Sequence, residues 1–382
     1  MRIIIMDHEP FHERKIDFYF IEDFQKKGYK VEYWSLCDVL PYMRKAKFNY
    51  RIEKEYVNYI NTLNELFEKL ETLNPKNDLL IVEFWYLYST KRIFEKITIN
   101  GLKWIRIDYY LNPTKSLIQT PSFIDKLKAL NFKTLFDRSI NWAFNRFANH
   151  EFEIPDLLFI TGQSQEYINR AKKLVSLDYF DVIEYEKKKD GISILGQPYI
   201  VYLDMMILDH PDIIMLGKEN MISKSAYYKE INEVFDKIER CTGLKIVIAS
   251  HPKAVYKNEF GDRLVLANRT AELVIHSEMV ITHGSLAISY ALLAGKPIIY
   301  LNFARLFLKN DFLKSVYRNM QLGKDLIGAT IIKEDVTCEN LNVSVDFEKY
   351  QNYLTNYFCK AEKNISNFNV VFKEVLDLMD EN

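Results

Sequence analysis

The run from Lys245 to Leu301 constrains the fold more than any other part of this chain. It reads KIVIAS-HPK, then RLVLA, a short helical stretch from Thr270, MVIT-HGS, a second helical stretch, and PIIYL. Continuous apolar runs that lack polar alternation are what strands of a parallel sheet, covered on both faces, look like. Helical stretches between them make the layout βαβ. Two of the runs end in short polar loops, His251-Pro252-Lys253 and His283-Gly284-Ser285, and the second loop opens a helix. Ligands of open α/β sheets bind at the carboxyl ends of strands. A phosphate-containing ligand is therefore the first expectation for this half of the chain.

The same alternation begins at the N-terminus. Arg2 to Met6 is a continuous apolar run, a helical stretch follows to Lys27 and stops at Gly28, and Val31 to Leu36 reads as a second strand. This is the start of a Rossmann-like unit without a GxGxxG loop, so a dinucleotide cofactor is not expected there. Residues 50–74 carry helical periodicity through Tyr56, Tyr59, Ile60, Leu63, Leu66, Phe67 and Leu70. Strands are expected at 79–84, 102–110 and 155–160. The lysine-rich stretch from Glu186 to Asp190, with Gly191 after it, reads as a linker, and alternation restarts at Tyr199. The expected organisation is 1–188 as an N-terminal acceptor-binding domain, 189–345 as a C-terminal donor domain and 346–382 as a helical tail. No internal repeat is visible.

Composition narrows the function classes. With 382 residues there is length for two or three domains, and 51 basic against 52 acidic residues leave no field that would draw nucleic acid. Cys37, Cys241, Cys338 and Cys359 show neither CxxC nor metal-ligand spacing, so reduced thiols in a cytoplasmic setting are expected, with no zinc site and no disulfide framework. The N-terminus has no signal-peptide core, and no window approaches the roughly 18 apolar residues of a membrane span. The basic, aromatic stretch from Lys126 to Phe147 fits a buried amphipathic helix, or a peripheral contact with an inner membrane where lipid-linked acceptors reside.

Ser285 follows a strand and a glycine and precedes a helical run closed by Gly295. Its plain role is an N-cap, and the same geometry aims backbone N–H groups at an anion. His251 stands after a strand and before a proline, where an imidazole can donate to a phosphate or protonate a leaving group. These residues carry a resemblance. His251-Pro252 and the strand–Ser285–helix arrangement resemble the bacterial glycosyltransferases of the GT-B fold that use cytidine-nucleotide donors, the sialyltransferases and Kdo transferases of capsule and lipopolysaccharide synthesis. They are also similar to the CDP-glycerol glycerophosphotransferases, whose Lys-Pro strand has its counterpart in Lys296-Pro297.

The resemblance implies an α/β chain of two Rossmann-like domains facing each other across a cleft. It implies a metal-independent glycosyltransferase that moves a CMP-activated acidic sugar, a nonulosonate or Kdo, to a surface polysaccharide or lipid-linked glycan. No cofactor is expected beside the nucleotide sugar, and no DxD string is present. A CDP-glycerol-type phosphotransferase, a UDP-sugar transferase or epimerase, and a non-catalytic glycan-binding protein are the alternatives. The donor site would comprise His251, Pro252, Lys253, Thr282, His283, Gly284, Ser285 and Leu286. Asp7 and Glu9 after the first strand are the expected catalytic base, beside His251 as a catalytic group. His8, Asp204 and His210 of the LDMMILDHPD run are cleft candidates. Glu83 and Asp108 lie among apolar residues, where an unpaired carboxylate is costly, and read as structural. The aromatic string FWYLY at 84–88 offers core packing or faces for sugar rings.

Overall fold

The structure is a computed structural model that describes residues 1–43, 50–109, 144, 146, 150–208, 223–252, 254–303 and 311–381. Two compact units are present, and each holds one parallel sheet. The first sheet contains β1 (Arg2–Asp7), β2 (Lys30–Ser35), β3 (Val57–Tyr59), β4 (Asp78–Glu83), β5 (Lys103–Asp108), β6 (Leu157–Thr161) and β7 (Lys173–Leu177), in the order β3-β2-β1-β4-β5-β6-β7. Helices α1 (Arg14–Phe18), α2 (Ile21–Lys26), α3 (Leu63–Glu71) and α4 (Lys91–Ile99) connect its first five strands. Ile4, Met6, Leu80 and Val82 are fully buried in one core cluster with Phe94 and Trp104. Covering both faces with helices is what lets β1 and β4 be apolar throughout.

The second sheet has β8 (Tyr199–Leu203), β9 (Lys245–Ser250), β10 (Val265–Ala267), β11 (Met279–Thr282), β12 (Ile298–Leu301) and β13 (Thr330–Ile332), ordered β10-β9-β8-β11-β12-β13. Around it lie α5 (Phe180–Lys188), α6 (Lys224–Thr242), α7 (Thr270–Ile275), α8 (Ile288–Leu293), α9 (Asp311–Ile327) and α10 (Phe347–Tyr357). Counted from its own first strand, this order repeats that of the first six strands of the other unit. Both sheets therefore reverse direction of growth between their first and fourth strands, at β1/β4 and at β8/β11, which is where a ligand crevice opens in such folds.

The structure departs from the sequence reading in four places. Tyr56 to Ile60, read as helical, includes β3; the Thr62 hydroxyl accepts from Glu65 N–H while Glu65 accepts from Asn61 N–H, an N-cap that starts α3 at Leu63. The unit boundary falls after Leu177 rather than 188, because α5 packs on α8 and α7. The C-terminal segment is divided: α10 stays with the second unit, while α11 (Asn367–Asp380) belongs to the first, with Phe368 edge-on to Phe24 and Leu378 C=O accepting from Lys103. Finally, Cys241 and Cys338 form a disulfide across 97 residues of sequence. This corrects the expectation of reduced cysteines, which rested on spacing, and spacing cannot show a contact made by folding. Among the described residues no helix is long and apolar enough to cross a membrane.

Candidate functional site

The carboxyl edge at β8/β11 gathers most of the expected donor residues. Asp204, the first residue past β8, is nearly buried, and its carboxylate accepts from Met206 N–H (2.9 Å), His251 N–H (3.2 Å) and the Tyr256 hydroxyl (2.6 Å). Asp204 is thus saturated by protein donors, and it fixes the start of the His251-Pro252 loop beyond β9. Tyr256 is correspondingly resistant to ionisation: burial, then the adjacent carboxylate, raises its pKa. Lys253 and His210 lie outside the described residues.

His283, expected to touch phosphate, does not reach the surface. It is fully buried; its Nδ1 pairs with Leu301 C=O at 2.7 Å and its Nε2 with the Tyr227 hydroxyl at 3.0 Å. A carbonyl can only accept, so Nδ1 carries the hydrogen and Nε2 accepts from Tyr227. Tyr202 and Tyr227 extend the chain, hydroxyl to hydroxyl at 3.1 Å. Burial holds the imidazole down to about 4, against the pull of the Leu301 carbonyl, so the ring is neutral. The expectation of His283 as a phosphate ligand is corrected: the ring joins β11 to α6 and β12.

Thr282 is also internal. Its hydroxyl accepts from Gly284 N–H (3.1 Å) and Ser285 N–H (3.0 Å) and sits 3.3 Å from Leu203 C=O, to which it donates. Two amides expected to face an anion are therefore occupied. Gly284 has φ +127°, a conformation that favours glycine. Beyond the loop Ile288, Ser289 and Tyr290 bond three residues back to Ser285, Leu286 and Ala287, so the first turn is tight. Ser285 Oγ accepts from Ala287 N–H at 3.3 Å and keeps its own hydrogen. The Leu286 N–H has no protein partner among the described residues, and its side chain is exposed. Ser285 Oγ–H and Leu286 N–H are what this loop can offer a ligand.

At β1/β4 the register sets Asp7 opposite Glu83. Asp7 is fully buried; Oδ2 lies 2.7 Å from Lys15 Nζ and accepts from the Tyr19 hydroxyl at 2.6 Å, and Oδ1 accepts from Glu9 N–H at 2.9 Å. Glu9 lies 3.0 Å from the same ammonium. His12, 3.8 Å away, and Lys15 together outweigh burial and hold the Glu9 carboxyl down to about 2. Burial pulls the Lys15 pKa down, but the two carboxylates overcome it and raise it. Asp7, His8 and Glu9 present ligand atoms within 4.8 Å of one another, yet Lys15 already supplies a cation to both carboxylates. A carboxylate that protonates only near pH 2 is a weak base at neutrality, so neither Asp7, sealed, nor Glu9, too acidic, has the properties expected of the base.

His8 has them. Its Nδ1 is 2.5 Å from Glu83 C=O, which fixes the hydrogen on Nδ1, and its Nε2 has no protein partner among the described residues. The side chain is 27% exposed. Its ring stacks at 5.9 Å and 26° on Trp85, itself 57% exposed. The Trp85 loop is held by Thr90, whose hydroxyl donates to Trp85 C=O (2.7 Å) and accepts from Leu87 N–H (2.8 Å), and by Arg106, which donates to Phe84 C=O at 2.8 Å. Under them Glu83 accepts from Ile107 N–H at 2.9 Å; burial, opposed by Arg106 and that N–H, pushes its pKa up to about 8.

No family model matches the chain, and no curated protein sequence matches it. Solved structures do. A variant of the wall teichoic acid polymerase TagF superposes with a TM-score of 0.50 at 13% identity, covering 100% of this chain and 88% of that one. The chain has a GT-B fold. UDP-GlcNAc 2-epimerase from Methanocaldococcus jannaschii (TM-score 0.45, 12% identity, 100% of both chains) and Arabidopsis thaliana UGT89C1 complexed with UDP-L-rhamnose (0.43, 10%, 100% and 98%) lie further off. At these identities the likeness is one of fold.

Proposed function

We propose that this chain is a transferase that moves a nucleotide-activated sugar to an acceptor hydroxyl. The observation that carries the reading is His8: an imidazole with its tautomer fixed by a backbone carbonyl, a lone pair left on Nε2, at the strand-order reversal of a GT-B unit. In the reaction His8 Nε2 takes the proton of the acceptor hydroxyl as its oxygen attacks the anomeric carbon. The bond from that carbon to the phosphate oxygen breaks, and the nucleotide leaves with the electron pair. Trp85 offers the acceptor ring a stacking face beside His8. In the second unit Ser285 Oγ–H, Leu286 N–H and the His251-Pro252 loop hold the leaving phosphate. The donor is a co-substrate, and no cofactor is assigned.

The acceptor is a surface polysaccharide or a lipid-linked glycan. The likeness to a wall teichoic acid polymerase supports an acceptor of that class. The His251-Pro252, strand–Ser285–helix and Lys296-Pro297 resemblance favours one second reading, phosphotransfer of the CDP-glycerol type, in which the same base serves and attack falls on phosphorus. Products separate the readings: CMP for the acidic-sugar donor, CMP with a phosphodiester product for glycerophosphate transfer, UDP for a hexose donor. The test is nucleotide release from each donor with a glycan acceptor. His8→Ala should lower kcat by about 10²- to 10⁴-fold without changing the thermal shift that the nucleotide gives. Equal turnover in His8→Ala would remove the base, and no turnover with any of the donors would leave a glycan-binding protein.

A further inference from the structure

A cavity of about 270 Å³ opens at the carboxyl edge of the first sheet. Leu40 and Pro41 line it from the loop after β2, Thr62 and Leu63 from the start of α3 beyond β3, and Ser89 and Ile93 from the segment after β4. The sheet order is β3-β2-β1-β4, so these strands lie on both sides of β1, which delivers His8. Ile4 and Met6 of β1 share a core cluster with Leu40 and Ile93, and Tyr42 and Leu63 pack against it. Strand alternation carries His8 to that same face. Aromatic rings complete the connection: Tyr42, next to Pro41, lies 5.5 Å from Trp85, and Trp85 stacks at 5.9 Å on His8. The cavity is thus two ring contacts from His8.

Its lining says what it can hold. Among the described residues none that lines it is charged. The two cations at the head of α4 are turned onto rings, Lys91 over Tyr88 at 5.3 Å and Arg92 over Phe67 at 5.6 Å. An anionic group would find nothing there to replace its water. Leu40, Leu63 and Ile93 form an aliphatic wall. Beside it the Thr62 hydroxyl, which accepts from Glu65 N–H, keeps its own hydrogen, and Asn61, whose amide donates to Tyr59 C=O at 3.3 Å, keeps Oδ1 as an acceptor. A pyranose ring matches both parts, with a C–H face for the wall and hydroxyls for Thr62 and Asn61. A hydrocarbon chain would strip water from those polar groups and give nothing back. Sites for drug-sized ligands start at about 300 Å³, so this one suits a single ring.

We propose that the cavity is a second acceptor subsite, which holds an uncharged sugar unit next to the unit that reaches His8, so that the acceptor has at least two sugar units. This rests on the acceptor reading given above. The test compares nucleotide release with methyl glucoside, methyl galactoside and N-acetylglucosamine against maltose, lactose, cellobiose and N,N′-diacetylchitobiose. In wild type at least one disaccharide should exceed its monosaccharide in kcat/KM by about tenfold, as a packed face and a retained hydrogen bond would give. In Ser89→Trp, whose indole fills the cavity from an exposed position, that ratio should fall to about one. A ratio near one for every disaccharide on wild type, or an unchanged ratio in the variant, overturns the subsite and leaves transfer through His8 standing. Digalacturonic acid should gain nothing over galacturonic acid; an equal gain would overturn the uncharged assignment. If no sugar supports turnover, the transfer reading falls, and saturation-transfer NMR with the same sugars decides the cavity alone. Disaccharide signals on wild type that vanish in Ser89→Trp support a sugar site, and absent signals on wild type, or equal signals in both proteins, refute it. Asn61→Trp, also at an exposed lining position, takes the place of Ser89→Trp should that variant not fold.

Discussion

His283→Leu removes a ring that bridges two buried polar groups, the Tyr227 hydroxyl and the Leu301 carbonyl. The Leu301 carbonyl loses the ring while the Tyr227 hydroxyl keeps Tyr202, so with about 1–3 kcal/mol for an unmatched group the variant should lose about 1–3 kcal/mol from the unfolding of the second unit. A second signature is specific to the imidazole. Its pKa is near 4 in the fold and about 6.5 in the unfolded chain. The folded pKa is the lower of the two, so the unfolded chain binds the extra proton. The stabilising contribution is complete above about 6.5 and is lost as pH falls toward 4. Between pH 7.5 and 4.5 this one group should take away about 2–3 kcal/mol. Urea denaturation of wild type and His283→Leu at both pH values, followed by the transition of the second unit, isolates it as a difference of slopes. Equal pH dependence in the two proteins would refute the buried neutral imidazole. A variant of undiminished stability that has lost nucleotide binding would return His283 to the ligand.

Lys15→Met leaves the Asp7 carboxylate buried without its cation and should cost about 3–5 kcal/mol, read by urea denaturation; a loss under 1 kcal/mol would contradict the pairing. Glu83 has a folded pKa near 8 against about 4.3 unfolded, so its contribution is present at low pH and falls away as pH rises through that window. Glu83→Gln should flatten that decline, and thermal melts between pH 5 and 9 check it. Reduction of the Cys241–Cys338 bond, which closes a 97-residue separation, should lower stability by up to about 4.7 kcal/mol by loop entropy. A Cys241→Ser, Cys338→Ser protein should be insensitive to dithiothreitol.

Much of the fold is legible in the sequence because parallel strands buried on both faces leave continuous apolar runs. β1, β4, β8, β9, β11 and β12 are such runs. β3 and β13, three residues each, are too short for a pattern, and β7 alternates a buried and a half-buried side chain. Residues at the strand ends were identifiable by type and position, but not by direction. Asp204 and His283 sit at the carboxyl edge and point their polar atoms into the protein, where Tyr256 and Tyr227 meet them from elsewhere in the chain. His8 lies between two carboxylates that looked the better bases; its advantage comes from a hydrogen bond to Glu83, 75 residues away. The Cys241–Cys338 bond and the Lys15 pairing are likewise products of tertiary contact. The repeated strand order of the two units leaves no trace as a sequence repeat, since topology constrains where apolar runs fall and not which residues fill them.

The most direct test of the account is whether the β8/β11 edge holds a nucleotide. Thermal melts of wild type and Ser285→Trp with millimolar CMP, CDP, UDP, UMP and GDP measure it, because a ligand that binds only the folded state raises the melting temperature by mass action. The account predicts that at least one pyrimidine nucleotide raises the melting temperature of wild type and that the rise disappears in Ser285→Trp, whose indole fills the space beside Leu286 N–H. A panel in which no nucleotide shifts wild type, or in which Ser285→Trp responds as wild type does, would contradict it.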